Sequence, residues 1–232
     1  PVPPPSPAQP QREEPAEKKE EGPAAERPKL EELLAELDGL CGLDKVKSDV
    51  KSLINLVKVR RLRQEHGLPV PPMSLHLVFL GNPGTGKTTV ARLLAKIYRA
   101  IGVLSKGQLV EVDRSGLVAG FVGQTALKTG EVIEKALGGV LFIDEAYSLY
   151  RGEQDSFGLE AIDTLVKGME DHRDELVVIL AGYTKEMEGF LTANSGLASR
   201  FPNKVEFPDY TADELLDITT VLAKGKGYRL DE

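Results

Sequence analysis

The segment from Gly81 to Thr89 constrains the fold of this chain more than any other. It follows a short apolar run, Leu75 to Leu80, and leads into a helical pattern, Lys87 to Ala100. The pattern G-x-x-x-x-G-K-[ST], in the strand, loop and helix context that it requires, is matched by Gly81, Asn82, Pro83, Gly84, Thr85, Gly86, Lys87, Thr88 and Thr89. The glycines allow successive backbone N–H groups to point at phosphate oxygens at the start of a helix.

Lys87 and Thr88 have predicted roles in this loop. The Lys87 ammonium would reach the β- and γ-phosphates of a nucleotide, and the Thr88 hydroxyl would bind Mg²⁺. A plain glycine turn before a helix would explain neither the lysine nor the pair of hydroxyls. The segment therefore predicts a nucleotide-binding phosphate loop.

Length and composition narrow the class of protein. The chain has 232 residues, a formal net charge of −7 and one cysteine, Cys41. An acidic balance gives no support to nucleic acid or anionic membranes as the main partner. A single cysteine fits a reducing compartment, and no apolar run approaches the roughly 18 residues needed to cross a bilayer. We expect a cytoplasmic protein with no membrane insertion and no nucleic-acid partner.

The first 29 residues differ from the rest of the chain. Residues 1–28 contain nine of the fifteen prolines and no aromatic residue. Such a segment has too little apolar surface to offset the entropy lost on ordering. We predict a disordered Pro/Glu-rich tail or linker over residues 1–29 and a folded core over residues 30–232. A docking tail for a partner is the alternative for the first segment.

The folded part alternates apolar strands with amphipathic helices, which favours a parallel sheet with crossover helices. Strands are predicted at Leu75–Leu80, Gln108–Val112, Val140–Ile143, Leu176–Ala181 and Lys204–Phe207. Helices are predicted at Leu30–Leu37, from a cap at Asp44, and at Lys87–Ile101, Gln124–Leu137 and Phe157–Asp171, with a last one from a cap at Thr211 to about Lys224. The fold class is therefore α/β.

Two carboxylates, Asp144 and Glu145, end the apolar strand Val140–Ile143. Charges beside a buried strand are costly unless something compensates them. A Mg²⁺ ion shared by Asp144 and Thr88 would do so, and Glu145 would then orient or deprotonate the water that attacks the γ-phosphate. A solvent-exposed acidic turn is the alternative, but it does not explain the phosphate loop upstream.

Three segments resemble one subfamily of the AAA+ ATPases, which contains stage V sporulation protein K, the red-type Rubisco activase and ATPases of type VII secretion. The segments are residues 81–89, 118–126 and 142–149, and the resemblance covers roughly residues 36–232. It implies ATP and Mg²⁺ as cofactors, ATPase activity, and a three-layer α-β-α core with a central parallel sheet. It also implies that the C-terminal helical lid of the family is mostly absent from this sequence.

The resemblance assigns a pore loop to Phe121, Val122 and Gly123. In the family such loops project into the centre of a ring, usually a hexamer, and pull on a protein client. An aromatic ring can wedge against an extended polypeptide without needing a particular side chain. The alternative is that Phe121 packs in the core. Lys128 either lines the same channel or is a solvated helix position.

Other site residues also come from the resemblance. Arg200 corresponds to the arginine finger that reaches a neighbouring subunit's phosphates, with Arg173 as a weaker candidate. Cys41 and Gly42 correspond to the segment that contacts the adenine base. The family has an asparagine that contacts the γ-phosphate, and the matching place in this sequence is near Tyr183, with Thr184 beside it. Either hydroxyl is a candidate for that contact.

The leading hypothesis is a ring-forming homo-oligomer, a hexamer as the resemblance implies, that hydrolyses ATP to remodel a protein client. A nucleotide-regulated assembly scaffold with little threading activity is the second. A DNA-directed motor is the third, and the acidic charge argues against it. The client stays open among sporulation, Rubisco reactivation, secretion and others, because the sequence labels no client-binding surface.

Overall fold

The computed structural model describes residues 30–121 and 123–229. The predicted tail, residues 1–29, lies outside these described residues, and so do Val122 and residues 230–232. The strands are β1 (Leu77–Leu80), β2 (Leu109–Val112), β3 (Val140–Ile143), β4 (Val177–Gly182) and β5 (Asn203–Glu206). The helices are α1 (Leu30–Asp38), α2 (Asp44–Glu65), α3 (Lys87–Ala100), α4 (Arg114–Leu117), α5 (Thr125–Ala136), α6 (Ser156–Asp171), α7 (Thr184–Ala193), α8 (Ser195–Ala198) and α9 (Ala212–Gly225), and a 3-10 turn spans Ala146–Leu149.

The five described strands form one parallel sheet in the order β2-β3-β4-β1-β5. Alternate side chains of β1 enter two different cores: Leu77 and Phe79 pack with α1, α2 and α3, whereas Val78 and Leu80 pack with α5, α6 and α7. Both faces of the sheet are thus covered, which is why β1, β3 and β4 are continuous apolar runs. The architecture is a three-layer α-β-α sandwich, as predicted.

Most predicted elements are present, with ends shifted by one or two residues. The predicted cap at Thr211 is confirmed: its hydroxyl accepts the Glu214 N–H, and the Glu214 carboxylate accepts the Thr211 N–H. The predicted cap at Asp44 is wrong, because Asp44 is the first helical residue and follows Leu43, whose backbone is left-handed with a φ of 59°. The chain enters α2 through that tight turn and needs no side-chain cap there.

Four elements within the described residues were not predicted. These are α4, the 3-10 turn, α7 and α8, and all lie in loops that follow strands. Helix α9 packs differently from the others, since none of its residues, all of which the structure describes, is buried. Within the described residues, no helix combines the length and the apolar character that a membrane crossing requires.

Candidate nucleotide site

The phosphate loop occupies the carboxyl edge of the sheet. Strands β3, β4 and β1 are neighbours, so the loops that follow them meet at one place. There they enclose a cleft of about 310 Å³. The cleft is lined by Gly81, Pro83, Gly84, Gly86, Lys87, Thr88, Thr89, Asp144, Glu145, Gly182 and Tyr183.

Lys87 is buried at the base of this cleft. Its Nζ donates to the carbonyl oxygens of Gly81 at 2.9 Å and Asn82 at 2.6 Å. Burial lowers the pKa of the Lys87 ammonium, and the nearby Asp144 carboxylate opposes that shift. An ammonium has three N–H donors, so one remains available to a ligand in the cleft.

Asn82 and Thr85 brace the loop and do not line the cleft. Asn82 Nδ2 donates to both carboxylate oxygens of Asp209, at 2.9 and 3.0 Å. Thr85 is buried, and its Oγ1 donates to the Asn82 carbonyl at 2.8 Å. The sequence analysis groups these two residues with the nucleotide-binding ones, and the structure shows that their side chains bind other parts of the protein.

The position of Gly86 leaves no room for a side chain. Its φ is 90°, and a Cβ there would lie 2.9 Å from the Tyr210 hydroxyl and 3.4 Å from Leu43. The Tyr210 hydroxyl donates to the Thr85 carbonyl at 3.3 Å. Tyr210 therefore closes one side of the phosphate loop, a contact that the sequence analysis missed because Tyr210 is 125 residues from Thr85.

The acidic side of the cleft is formed by the two residues that end β3. The Asp144 N–H donates to the Val112 carbonyl at 2.8 Å, and the Asp144 Oδ1 accepts the Glu145 N–H at 3.0 Å. Glu145 has a left-handed backbone, with φ and ψ both 46°. Glu145, Asp144 and Thr88 line the same cleft, so the structure brings these three predicted residues together.

A divalent cation fits the donors present. Thr88 supplies a hydroxyl oxygen and Asp144 a carboxylate oxygen, which are the ligands that Mg²⁺ prefers beside substrate phosphates. Asp144 also lies close enough to Lys87 to raise the pKa of the Lys87 ammonium, so the Asp144 charge acts on the phosphate loop.

Tyr183 lines the cleft, whereas Thr184 is the first residue of α7 and, within the described part of the chain, does not belong to the lining. The ring of Tyr147 lies 5.8 Å from that of Tyr183. Burial, followed by the Glu145 charge, raises the pKa of Tyr147 to about 12. Of the two residues whose hydroxyls the sequence left open, Tyr183 is the one that lines this cleft.

Cys41 and Gly42, both among the described residues, do not line the phosphate cleft. Cys41 Sγ donates weakly to the Glu214 carbonyl at 3.5 Å, and a Cβ on Gly42 would overlap the Glu214 carboxylate. The next residue, Leu43, adjoins Gly86. The segment predicted to contact the base thus lies beside the phosphate loop, against the start of α9.

Phe121 is exposed at the tip of the loop between α4 and α5, with 72% of its surface accessible. The alternative that Phe121 packs in the core is therefore wrong. Val122 lies outside the described residues, and Gly123 has a φ of 79°.

The stem of this loop, residues 115–119, is hydrogen-bonded to side chains of α5. The Thr125 hydroxyl accepts the Ala119 N–H, and the Thr129 hydroxyl donates to the Leu117 carbonyl. Both threonines are fully buried. Lys128 Nζ donates to the carbonyls of Ser115 at 2.6 Å and Val118 at 3.1 Å. Lys128 therefore binds the start of the loop and is not a plain solvated helix position; its place in a channel stays a prediction.

Arg200 is not part of the phosphate cleft of its own chain. It lines a second cleft, of about 620 Å³, together with His76 and Val177 at the amino ends of β1 and β4. The phosphate loop follows the opposite end of β1, and four strand residues span about 13 Å. Arg200 Nη1 donates to the Gly196 carbonyl at 2.8 Å, and Nη2 lies 3.4 Å from the Glu170 carboxylate.

His76 and Arg173 lie beside Arg200. Burial, followed by the Arg200 charge, lowers the pKa of His76 to about 4, and its Nδ1 accepts the Val178 N–H at 3.0 Å. Arg173 is exposed, and its Nε lies 3.9 Å from the Asp174 carboxylate. Of the two predicted finger candidates, Arg200 is the more firmly held.

The parallel order β2-β3-β4-β1-β5, with a phosphate loop after β1 and two carboxylates after β3, defines a three-layer P-loop nucleoside triphosphatase fold. The model of the ATPase family associated with various cellular activities (AAA) matches residues 77–209. The chain belongs to this family, which confirms the resemblance drawn from the sequence.

Curated relatives include stage V sporulation protein K of Bacillus subtilis, at 49% identity over 88% of this chain and 63% of that protein. The ESX-1 secretion system protein EccA1 of Mycolicibacterium smegmatis is 45% identical over 88% of this chain and 36% of its own length. The chloroplastic ribulose bisphosphate carboxylase/oxygenase activase of Cyanidioschyzon merolae is 48% identical over 87% of this chain and 69% of its own. The chain thus spans less than two thirds of the length of the first two of these relatives.

A solved structure with the same fold is the FIGL-1 AAA domain in complex with ADP. It matches with a TM-score of 0.58 at 22% identity, over 81% of this chain and 60% of that one. At this identity the match supports the fold alone.

Proposed function

We propose that this chain hydrolyses ATP in the cleft at the carboxyl edge of its sheet. The phosphate-loop N–H groups and Lys87 bind the phosphates, and Glu145 orients and deprotonates the attacking water. Thr88 and Asp144 hold the Mg²⁺ ion, which neutralises charge on the phosphates when bound. Cys41 and Gly42 contact the base.

One observation carries this proposal: Lys87, Thr88, Asp144 and Glu145 come from two segments some 55 residues apart and line one cleft of about 310 Å³. A structural salt bridge would not need the hydroxyl, the left-handed glutamate or the glycine loop. Phosphoryl transfer uses a glycine loop, a metal-binding hydroxyl and a carboxylate that orients water, because its catalysis consists mainly of positioning and charge stabilisation.

We further propose that the chain works as a homo-oligomeric ring, a hexamer, that pulls on a protein client with Phe121. An exposed aromatic side chain on a stem fixed by Thr125, Lys128 and Thr129 is suited to transmit force to a polypeptide. The exposed tip carries no net basic cluster of the kind that a nucleic-acid motor uses, within the described loop residues 115–121 and 123–125.

We propose a protein client, because one relative is named as an activase of ribulose bisphosphate carboxylase/oxygenase, which is itself a protein. Relatives named for sporulation and secretion have the same core, so the client is chosen by surfaces outside it. A single cysteine supports a cytoplasmic location for this chain.

Glu145→Gln tests the ATPase proposal. The amide keeps the size of the side chain but cannot accept the water's proton, so turnover should fall about 10²- to 10⁴-fold. Binding of a fluorescent ATP analogue with Mg²⁺ should stay near the parental affinity. Glu131→Gln, an exposed change on α5, is the matched control. Parental phosphate release by Glu145→Gln would overturn the proposal.

A further inference from the structure

Arg114 lies behind the nucleotide cleft, and its guanidinium is hydrogen-bonded to two other segments of the chain. It is the first residue of α4, and its side chain is only 17% exposed. Nη1 donates to the carbonyls of Ser148 at 2.8 Å and Leu149 at 3.2 Å, and also to Asp155 Oδ2 at 2.7 Å. Nη2 donates to Asp155 Oδ1 at 2.9 Å. One guanidinium therefore joins three segments that are distant in the sequence.

The two carbonyls belong to the turn that starts directly after Glu145. Ser148 and Leu149 are the last residues of the 3-10 turn, and the Ser148 N–H donates to the Glu145 carbonyl at 2.8 Å. Glu145 itself has a left-handed backbone, which a non-glycine residue keeps only where its surroundings enforce it. On the amino side of Glu145, Asp144 is hydrogen-bonded to Val112 of β2. On the carboxyl side of Glu145, the 3-10 turn is hydrogen-bonded to Arg114.

Asp155 and Gly158 complete the arrangement from α6. Asp155 caps this helix by accepting the Gly158 N–H at 3.1 Å, and the hydrogen bond from Arg114 is the main cause that lowers the pKa of Asp155. A Cβ on Gly158 would overlap the Leu149 carbonyl and lie 2.9 Å from Arg114 Nη1. Helix α6 thus approaches the turn as closely as a glycine permits, which leaves the Glu145 turn little freedom.

We propose that Arg114 is a positioning residue for Glu145. By holding the carbonyls of Ser148 and Leu149, its guanidinium keeps the turn closed and the Glu145 carboxylate in the cleft. This role rests on the proposed function, in which Glu145 acts on the attacking water. Arg114 itself does not line the cleft. Lysine would not substitute for it, because an ammonium lacks the planar fork that bonds Asp155 and the turn together.

Arg114→Lys tests the proposal. Because the turn loses part of its anchor, kcat should fall about 10- to 100-fold through misplacement of the Glu145 carboxylate. The affinity for a fluorescent ATP analogue with Mg²⁺ should stay close to the parental value, because Arg114 is not among the residues that line the cleft. Arg92→Lys is the matched control: Arg92 is exposed on α3, 3.7 Å from Glu111, and should keep the parental kcat. Parental kcat in Arg114→Lys would overturn the positioning role.

A double-mutant cycle with Glu145→Gln separates positioning from a general structural effect. If Arg114 acts through Glu145, then Arg114→Lys should cause no further loss of single-turnover hydrolysis in the Glu145→Gln background. If the two losses multiply, the positioning role is wrong. Parental turnover of Glu145→Gln alone would instead overturn the proposed function, so the two failures are distinguishable.

Asp155→Asn provides the same test if Arg114→Lys does not fold. The amide keeps the size of Asp155 and an oxygen for the Gly158 N–H, but it loses the charge that holds the guanidinium. It should reproduce the loss of kcat and the absence of further loss in the Glu145→Gln background. Multiplying losses in this second cycle would overturn the proposal as well.

Discussion

His76 and Lys87 are titratable side chains whose hydrogen bonds go to the backbone. Lys87 donates to two phosphate-loop carbonyls, whereas His76 accepts an N–H from β4. A backbone N–H can only donate, so the His76 Nδ1 must be unprotonated for this bond. Arg200 adds a positive charge beside the ring. The folded state therefore favours neutral His76.

This preference makes stability depend on pH. The folded pKa of His76 is about 4, below the ordinary 6.5, so between these values the unfolded chain binds a proton that the folded chain does not. The stabilisation is complete above pH 6.5 and is lost as the pH falls toward 4. Between pH 7 and pH 5 the loss should be about 2 kcal/mol of unfolding free energy.

His76→Asn checks the pH dependence by urea unfolding at both pH values. The asparagine can accept the Val178 N–H but does not titrate, so its stability should change less between pH 7 and pH 5 by about that 2 kcal/mol. The change with pH is compared, so a lower overall stability of the variant does not matter. His66→Asn, on the exposed end of α2, should keep the parental dependence. Equal dependences in parent and His76→Asn would refute the argument.

At the scale of elements, the sequence predicted what depends on neighbours along the chain. The phosphate loop, β3 with its two carboxylates and the cap at Thr211 are local patterns, and each is present. The contacts of Arg114 with residues 34 to 41 positions away have no local pattern. Neither has the contact of Tyr210 with the phosphate loop. Such contacts become visible only when the strand order is known.

The Phe121 loop likewise has one feature that the sequence predicted and others that only the tertiary structure shows. Its aromatic residue was found by resemblance, but its exposure and its stem on α5 required the tertiary structure. Lys128 illustrates why: a lysine on a helix is usually solvated, and only the position of the stem reveals that its Nζ binds two carbonyls.

Phe121→Trp reports on whether this loop responds to nucleotide. The chain contains no tryptophan, so the substitution creates a single tryptophan fluorophore at the loop tip. In the proposed ring the tip faces a pore, and acrylamide quenching should be weaker with MgATP than without nucleotide. Leu56→Trp, on the exposed face of α2, is the control and should show no such difference. Identical quenching at position 121 in both conditions would contradict nucleotide-driven movement of the loop.

At the scale of the whole molecule, the nucleotide cleft and Arg200 lie at opposite edges of the sheet. A single chain cannot bring them together without breaking β1. A head-to-tail interface joins two different surfaces of identical subunits, and it closes into a ring when the rotation permits. In such a ring the amino edge of one subunit can face the nucleotide cleft of the next. In that proposed ring, Arg200 would complete the nucleotide site of the neighbouring subunit.

Mixing Arg200→Ala with Glu145→Gln tests this shared site most directly. Each variant alone should hydrolyse ATP slowly, since an arginine finger contributes about 10³- to 10⁵-fold in rate. In a mixed ring, an Arg200→Ala subunit keeps its own Glu145 and receives Arg200 from a Glu145→Gln neighbour. An equal mixture should recover hydrolysis at about a quarter of the sites, because each needs both intact groups at even odds. Mixtures no more active than the separate variants, or parental activity of Arg200→Ala alone, would contradict the account.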